Sequence, residues 1–216
     1  ALVDVEALIE DYPNEALLYN IRASCYQEIG QLDDAVKDYE KALTLKPDYA
    51  EAQYNLGITY RELGQIDAAI KSYKQALTIK PDYFGAHNNL GNIFLELGQI
   101  DGAIKQYEKL LAINPNYAAS YYHLSSIKEY TMSDTQITQM QSLLSNGKLT
   151  QPERIHLCFA LAKVNEKLGN QDELFKFLHE GNRLRKEESN YSLEKPQKLF
   201  STTKELFNSL PTTIEK

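Results

Sequence analysis

The sequence predicts an all-α chain built as a solenoid of helix pairs, and three observations predict it. Landmark residues recur with a constant step of 34: Pro47, Pro81 and Pro115; Tyr39, Tyr73 and Tyr107; Ala35, Ala69 and Ala103. Each unit holds two stretches whose apolar residues fall on one helical face. Glycine divides the stretches within a unit (Gly30, Gly64, Gly98) and proline divides one unit from the next. A fixed period of this kind marks a stacked architecture, because one unit cannot bury its apolar face alone.

Residues 1–15 read as the second helix of a preceding partial repeat, since Pro13 lies 34 residues before Pro47. Residues 16–49 form a looser unit, with Arg22 where its neighbours have Leu and Ala23 where they have Gly. Units 50–83 and 84–117 agree at 18 of 34 positions. In the first of these, Leu56-Gly57 and Tyr60 mark the first helix. Ala69, Ile70, Tyr73, Ala76 and Leu77, at i, i+1, i+4, i+7 and i+8, form the stripe of the second. Gly64-Gln65 breaks the chain between them, and Pro81 ends the second helix. Asp48 with Glu51 three residues on predicts an Asp-headed capping box, and Asp82 and Asn116 hold the same cap position. Asp67 lies in a first turn, where the helix dipole favours an anion.

Residues 118–151 read as a divergent fourth repeat, opened by Tyr121, Leu124 and Ser125. Its second half starts at a Ser133–Gln136 capping box, carries Ile137, Met140, Leu143 and Leu144 on one face, and ends at Asn146-Gly147. Residues 152–188 read as a degenerate helix pair around Leu168-Gly169-Asn170, its second helix lined by Phe175, Leu178 and Leu184. Residues 191–210, with Leu199, Phe200, Leu206, Phe207 and Leu210, predict a C-terminal capping helix.

Composition narrows the function. A formal charge of −7 lacks the clustered Lys and Arg that grip a phosphate backbone, so no nucleic acid is expected as partner. No apolar run approaches the roughly 18 residues of a membrane span, so no membrane is expected either. Two cysteines, Cys25 and Cys158, make no disulfide framework, and no leader pattern opens the chain; a cytoplasmic location is expected. The chain lacks an initiator Met and begins mid-pattern, which reads as a fragment of a longer one.

Phosphate-loop, dinucleotide, zinc-protease and nucleophile-elbow motifs are absent, so no catalytic residue, cofactor or metal is expected. His156 and Cys158 sit two apart on a helix and point to opposite sides. Both cysteines read as buried structural thiols. His179, Arg183, Arg185 and Lys186 cluster where a helix C-terminus attracts cations.

The 34-residue helix–turn–helix unit resembles the tetratricopeptide repeat. The resemblance is carried by small residues at helix contacts (Gly57, Ala69, Ala76; Gly91, Ala103), large ones filling the gaps (Leu56, Tyr60, Tyr73; Leu90, Phe94, Tyr107) and the closing prolines. Tyr19, Gln53 and His87 stand where that family often has Trp. The resemblance implies a right-handed superhelix of antiparallel helix pairs whose first helices line a concave groove for a protein or an extended peptide. The groove positions hold Asn20 and Ser24, then Tyr54, Asn55, Ile58 and Arg61, then Asn88, Asn89 and Asn92, then Tyr122 and His123.

Asn88-Asn-Leu-Gly-Asn92 resembles the asparagine ladder of O-linked N-acetylglucosamine transferases, which implies a grip on peptide backbone. The carboxylate-clamp positions of chaperone-binding repeats hold Tyr, Asn, Gly and Ala here, which excludes that activity. Arg154–Ala162, Leu178–Lys186 and Tyr191 resemble the linker of bacterial proteins in which such repeats precede a sulfotransferase domain. That resemblance implies a sulfotransferase domain as a partner in the same polypeptide. Two functions follow as expectations: a peptide-binding arm that recruits substrate or partner, or a structural and oligomerisation arm of that enzyme.

Overall fold

The computed structural model describes residues 2–146 and 148–188. Regular structure among the described residues is entirely helical: α1 (Leu2–Asp11), α2 (Ala16–Glu28), α3 (Leu32–Leu45), α4 (Ala50–Glu62), α5 (Ile66–Ile79), α6 (Phe84–Glu96), α7 (Ile100–Ile113), α8 (Ala118–Ser126), α9 (Asp134–Ser145), α10 (Gln151–Leu168) and α11 (Gln171–Glu188). The pairs α2–α3, α4–α5 and α6–α7 are the three units of the period, and each second helix also packs on the next first helix. The expected capping helix over 191–210 lies outside the described residues, as does Gly147.

Glycine closes each first helix for a conformational reason. Gly30, Gly64 and Gly98 have φ of 77°, 73° and 70°, the left-handed region where a Cβ is unfavourable. This bend lets the next N–H, of Gln31, Gln65 or Gln99, reach back 2.8 Å to the carbonyl of Tyr26, Tyr60 or Phe94.

Within a unit, closeness comes from Gly57 and Gly91. A Cβ on Gly57 would lie 2.6 Å from Tyr73 Cε1, and one on Gly91 2.9 Å from Tyr107 Cε1. The absence of a side chain there lets the tyrosine rings of α5 and α7 lie flush against the first helices. Tyr73 and Tyr107 are thereby fully buried, at 0% exposure; Tyr39 of the first unit, where Ala23 replaces the glycine, is equally buried.

The first unit's departure from its neighbours is a paired exchange. Arg22 donates to both carboxylate oxygens of Asp38, Nε to Oδ2 at 2.6 Å and Nη2 to Oδ1 at 2.7 Å. The next unit has Leu56 and Ser72 at the same two positions. A bidentate ion pair therefore stands where the next unit has Leu and Ser, and its geometry satisfies both largely hidden charges.

Several expectations need correction. The Asp48–Glu51 box does not form: Tyr49 is the N-cap of α4, and no side chain caps that end. Tyr83 and Tyr117 are the caps of α6 and α8, so Asp82 and Asn116 also fall one residue short. The tyrosine holds the cap because its ring packs at the joint between units. The Ser133 box does form, and a second one joins Thr150 to Glu153 at the start of α10.

Residues 118–151 do not close as a helix pair, since α8 lays its main packing on α10. α8 is only 9 residues long, and Lys167 of α10 caps its end by donating to the carbonyls of Ile127 at 2.7 Å and Tyr130 at 2.9 Å. α9 adds Met140 and Leu143 to the same core from the side. α10 and α11 pack on each other as a pair, turned by Gly169 at φ 76°. On α11 the register differs: Phe175 is 54% exposed, while Phe177 packs on the core. Cys158 is buried, but Cys25 is only half-buried.

Candidate functional site

Side chains 35 residues apart join successive first helices: Asn55 Nδ2 to Asn20 Oδ1 (3.4 Å), Gln27 Nε2 to Glu62 Oε1 (3.0 Å) and Arg61 Nη2 to Glu96 Oε1 (2.7 Å). The helices joined in this way carry the positions expected to line the groove. Glu62 and Glu96 were not among the residues singled out from the sequence, although Glu28, Glu62 and Glu96 follow the same 34-residue step.

The predicted residues divide by what holds them. Asn20 is 4% exposed, so it supports its neighbour Asn55 and does not form an open surface. This corrects the expectation of a ligand contact there. Ser24 Oγ lies 3.0 Å from the hydroxyl of buried Tyr39 and also donates to the Asn20 carbonyl. Asn89 donates from Nδ2 to the Tyr73 hydroxyl at 3.2 Å. Asn92 accepts at Oδ1 from the Tyr107 hydroxyl at 2.9 Å. Asn88 accepts from the Tyr117 hydroxyl at 3.2 Å.

These core tyrosines reach through the wall of the groove and orient its polar residues. Their roles were not legible in the sequence, where the rings read as packing alone. Burial pushes the phenols of Tyr73 and Tyr107 up to about 12, so both stay protonated hydroxyls in neutral solution.

The aromatic positions make two clusters. Tyr54 stacks on Tyr83 with ring centroids 4.8 Å apart, half-buried at the joint between the second and third units. Ile58 is half-buried and packs on the core. Farther along, His123 stacks on Tyr107 (4.8 Å, 8° between planes) and Tyr122 stacks on His156 of α10 (5.3 Å). Burial lowers both histidines from their ordinary value, with the neighbouring His156 adding to the effect on His123 and Arg185 adding to that on His156. His156 therefore belongs to the end of this face. Cys158 on the opposite side of α10 is an inert thiol, pushed by burial up to about 11.

What the arrangement supplies is a row of half-exposed carboxamides, each tethered by one end. A carboxamide both donates and accepts. With Nδ2 of Asn89 and Oδ1 of Asn92 engaged inward, the remaining acceptor of one and donors of the other complement a peptide group. Among the described residues no group of three or more His, Cys, Asp or Glu could hold a metal ion. No helix among them is long and apolar enough to cross a membrane.

Comparison with known proteins agrees with this geometry. The TPR repeat family model matches residues 25–62, 59–98 and 91–126. No curated protein sequence matches the chain. Among solved structures, the crystal structure of MamA aligns at 21% identity over 88% of this chain and 90% of that one, with a TM-score of 0.53. YrrB, described as a TPR protein with an unusual peptide-binding site, aligns at 18% identity over 85% and 93%, with a TM-score of 0.65. A MamA RS-1 double mutant aligns at 20% identity over 80% and 96%, with a TM-score of 0.61. Residues 25–126 thus match tetratricopeptide repeats, and the chain shares the all-α solenoid fold of proteins built from them.

Proposed function

We propose that this TPR scaffold binds an extended peptide of a partner protein along its inner face. The observation that carries the reading is the tethering of Asn89 and Asn92 by the buried hydroxyls of Tyr73 and Tyr107. A carboxamide fixed in advance loses little rotamer freedom on binding, so more of its hydrogen-bond energy appears as affinity. Asn55 continues the row toward the first unit. The first helices carry Glu28, Glu51 and Glu62, while Arg61 is paired with Glu96 and Arg22 with Asp38. That balance favours a peptide containing Lys or Arg. A neighbour in fold described as having a peptide-binding site supports the same reading.

The finer proposal places the scaffold as the recruiting arm of a larger protein that carries a sulfotransferase domain. Its support is the resemblance of Arg154–Ala162, Leu178–Lys186 and Tyr191 to the linker of such proteins. The test is selection of peptides from a display library on residues 1–216, followed by titration of the best binder. Replacing Asn89 and Asn92 together by Ala should lower its affinity by about five- to 150-fold, two hydrogen bonds' worth. Unchanged affinity in a folded double variant ends the reading.

A further inference from the structure

Away from the inner face, a cavity of about 370 Å³ opens between the first and second units. Its walls include Leu43, Leu56, Tyr60, Ala68 and Ser72, and Gln53 projects at its edge. The Oε1 atom of Gln53 is buried with no hydrogen-bond donor of the protein in reach. Leaving a buried carboxamide oxygen unpaired is costly, so this atom needs an explanation.

The other units supply one. At the positions equivalent to Gln53 stand Tyr19, His87 and Tyr121. Each reaches the carbonyl of the proline before its helix: Tyr19 to Pro13 at 2.9 Å, His87 to Pro81 at 2.8 Å, Tyr121 to Pro115 at 2.8 Å. The ring of Tyr19 lies under Arg22 and Lys41, and His87 bonds Gln106. Moved by one 34-residue step onto the second unit, those contacts become Leu56, Gln75 and Ser72, all three of which line the cavity. The cavity lining therefore includes the positions that surround a polar ring in the first and third units.

We propose that this cavity is a binding site for a phenol group, the ring lying on Leu43, Leu56 and Tyr60 and the hydroxyl pairing with the Gln53 carboxamide as that side chain turns its unpaired oxygen into the cavity. A phenol suits the site chemically because its hydroxyl both donates and accepts, so it satisfies the carboxamide whichever way the amide is turned. Two of the sister positions are filled by this very group. The lining is also partly charged, with Glu40 and Lys71 in it and Tyr60 donating to Glu40 at 3.0 Å. The phenol comes either from a free small molecule or from a tyrosine side chain of a partner.

The experiment uses residues 1–216 with p-cresol, toluene and N-acetyl-tyrosine amide as probes, followed by NMR chemical-shift titration. p-Cresol should bind in the millimolar range and perturb Leu43, Leu56 and Ala68. Toluene, lacking the hydroxyl, should bind about tenfold more weakly, the value of one hydrogen bond. Gln53→Tyr, which supplies the ring internally, should abolish the shifts; Gln53→His with Ser72→Gln, copying the third unit, should do the same if the first variant fails to fold. Binding of the tyrosine amide with the same shifts assigns the site to a partner's side chain, and its failure beside bound p-cresol assigns it to a free ligand. Absence of p-cresol shifts at these residues, or equal shifts in a folded variant carrying a filled cavity, overturns the proposal.

Discussion

The hydroxyl of Tyr73, on a ring with no exposed surface in the second unit, accepts a hydrogen bond from Asn89 Nδ2 of the third at 3.2 Å. One residue thus seals a unit's core, joins it to the next unit and orients a residue of the inner face. Tyr73→Phe keeps the ring and removes only the bond. It should lower stability by about 0.5–1.5 kcal/mol in chemical denaturation. The side chain of Asn89 should become more mobile in NMR relaxation; unaltered Asn89 dynamics would show that the tether orients nothing.

Gly57→Ala should be costlier than its size suggests. The added methyl would meet Tyr73 Cε1 at 2.6 Å, against 2.9 Å from Tyr107 for the same change at Gly91. Both rings are fully buried and have little room to retreat. A loss of roughly 1–3 kcal/mol is expected for overpacking at position 57, with a smaller loss at 91. Thermal melts of the two variants side by side test the order.

Asp38→Ser should destabilise more than the double change Arg22→Leu with Asp38→Ser. The single change strands a guanidinium that is 21% exposed, while the double change copies Leu56 and Ser72 of the next unit. The single variant should lose about 1.5–3 kcal/mol, the value of hydrogen bonds to a charged group, and the double should recover most of it. A double variant no more stable than the single one would show that the exchange is not a paired one.

Stability should fall on mild acidification. His123 and His156 both have folded-state values below the ordinary 6.5, through burial first. The unfolded chain then binds protons more readily, so the stabilisation is complete above 6.5 and is lost as pH falls from there toward the folded-state values. His123 faces Tyr107, Tyr122 and His156, and His156 faces Arg185, Glu188 and Glu153. His123→Asn, the residue of the two preceding units, should flatten the dependence measured from about pH 7.5 to about 5.5.

Thr150→Ala should cost about 0.5–1.5 kcal/mol by removing the hydroxyl's bond to Glu153 at the start of α10. Thr150 donates to Glu153 Oε2 through its hydroxyl at 2.7 Å and through its backbone N–H at 2.8 Å. These bonds hold the Glu153 carboxyl below the usual carboxylate range. NMR titration of Glu153 should show its value rising in the variant.

By itself the sequence determined the repeat, the helix pairs over 16–117 and their boundaries at Gly30, Gly64, Gly98 and the prolines. It could do so because backbone conformation and amphipathic period are local, and a local constraint repeated every 34 residues is visible as a pattern. It also placed the groove candidates at shared repeat positions on the first helices. Tertiary structure decided what those residues do, since hydrogen bonds such as Tyr107 to Asn92 or Tyr117 to Asn88 depend on how far a side chain reaches across a helix contact.

The packing of α8 on α10 past α9 was beyond the sequence for the same reason. Amphipathic stripes say that a face must be covered, but the hydrophobic effect has no direction and does not name the cover. The cavity at Gln53 is decided the same way: a single residue smaller than its counterparts leaves a space whose walls come from both neighbouring units.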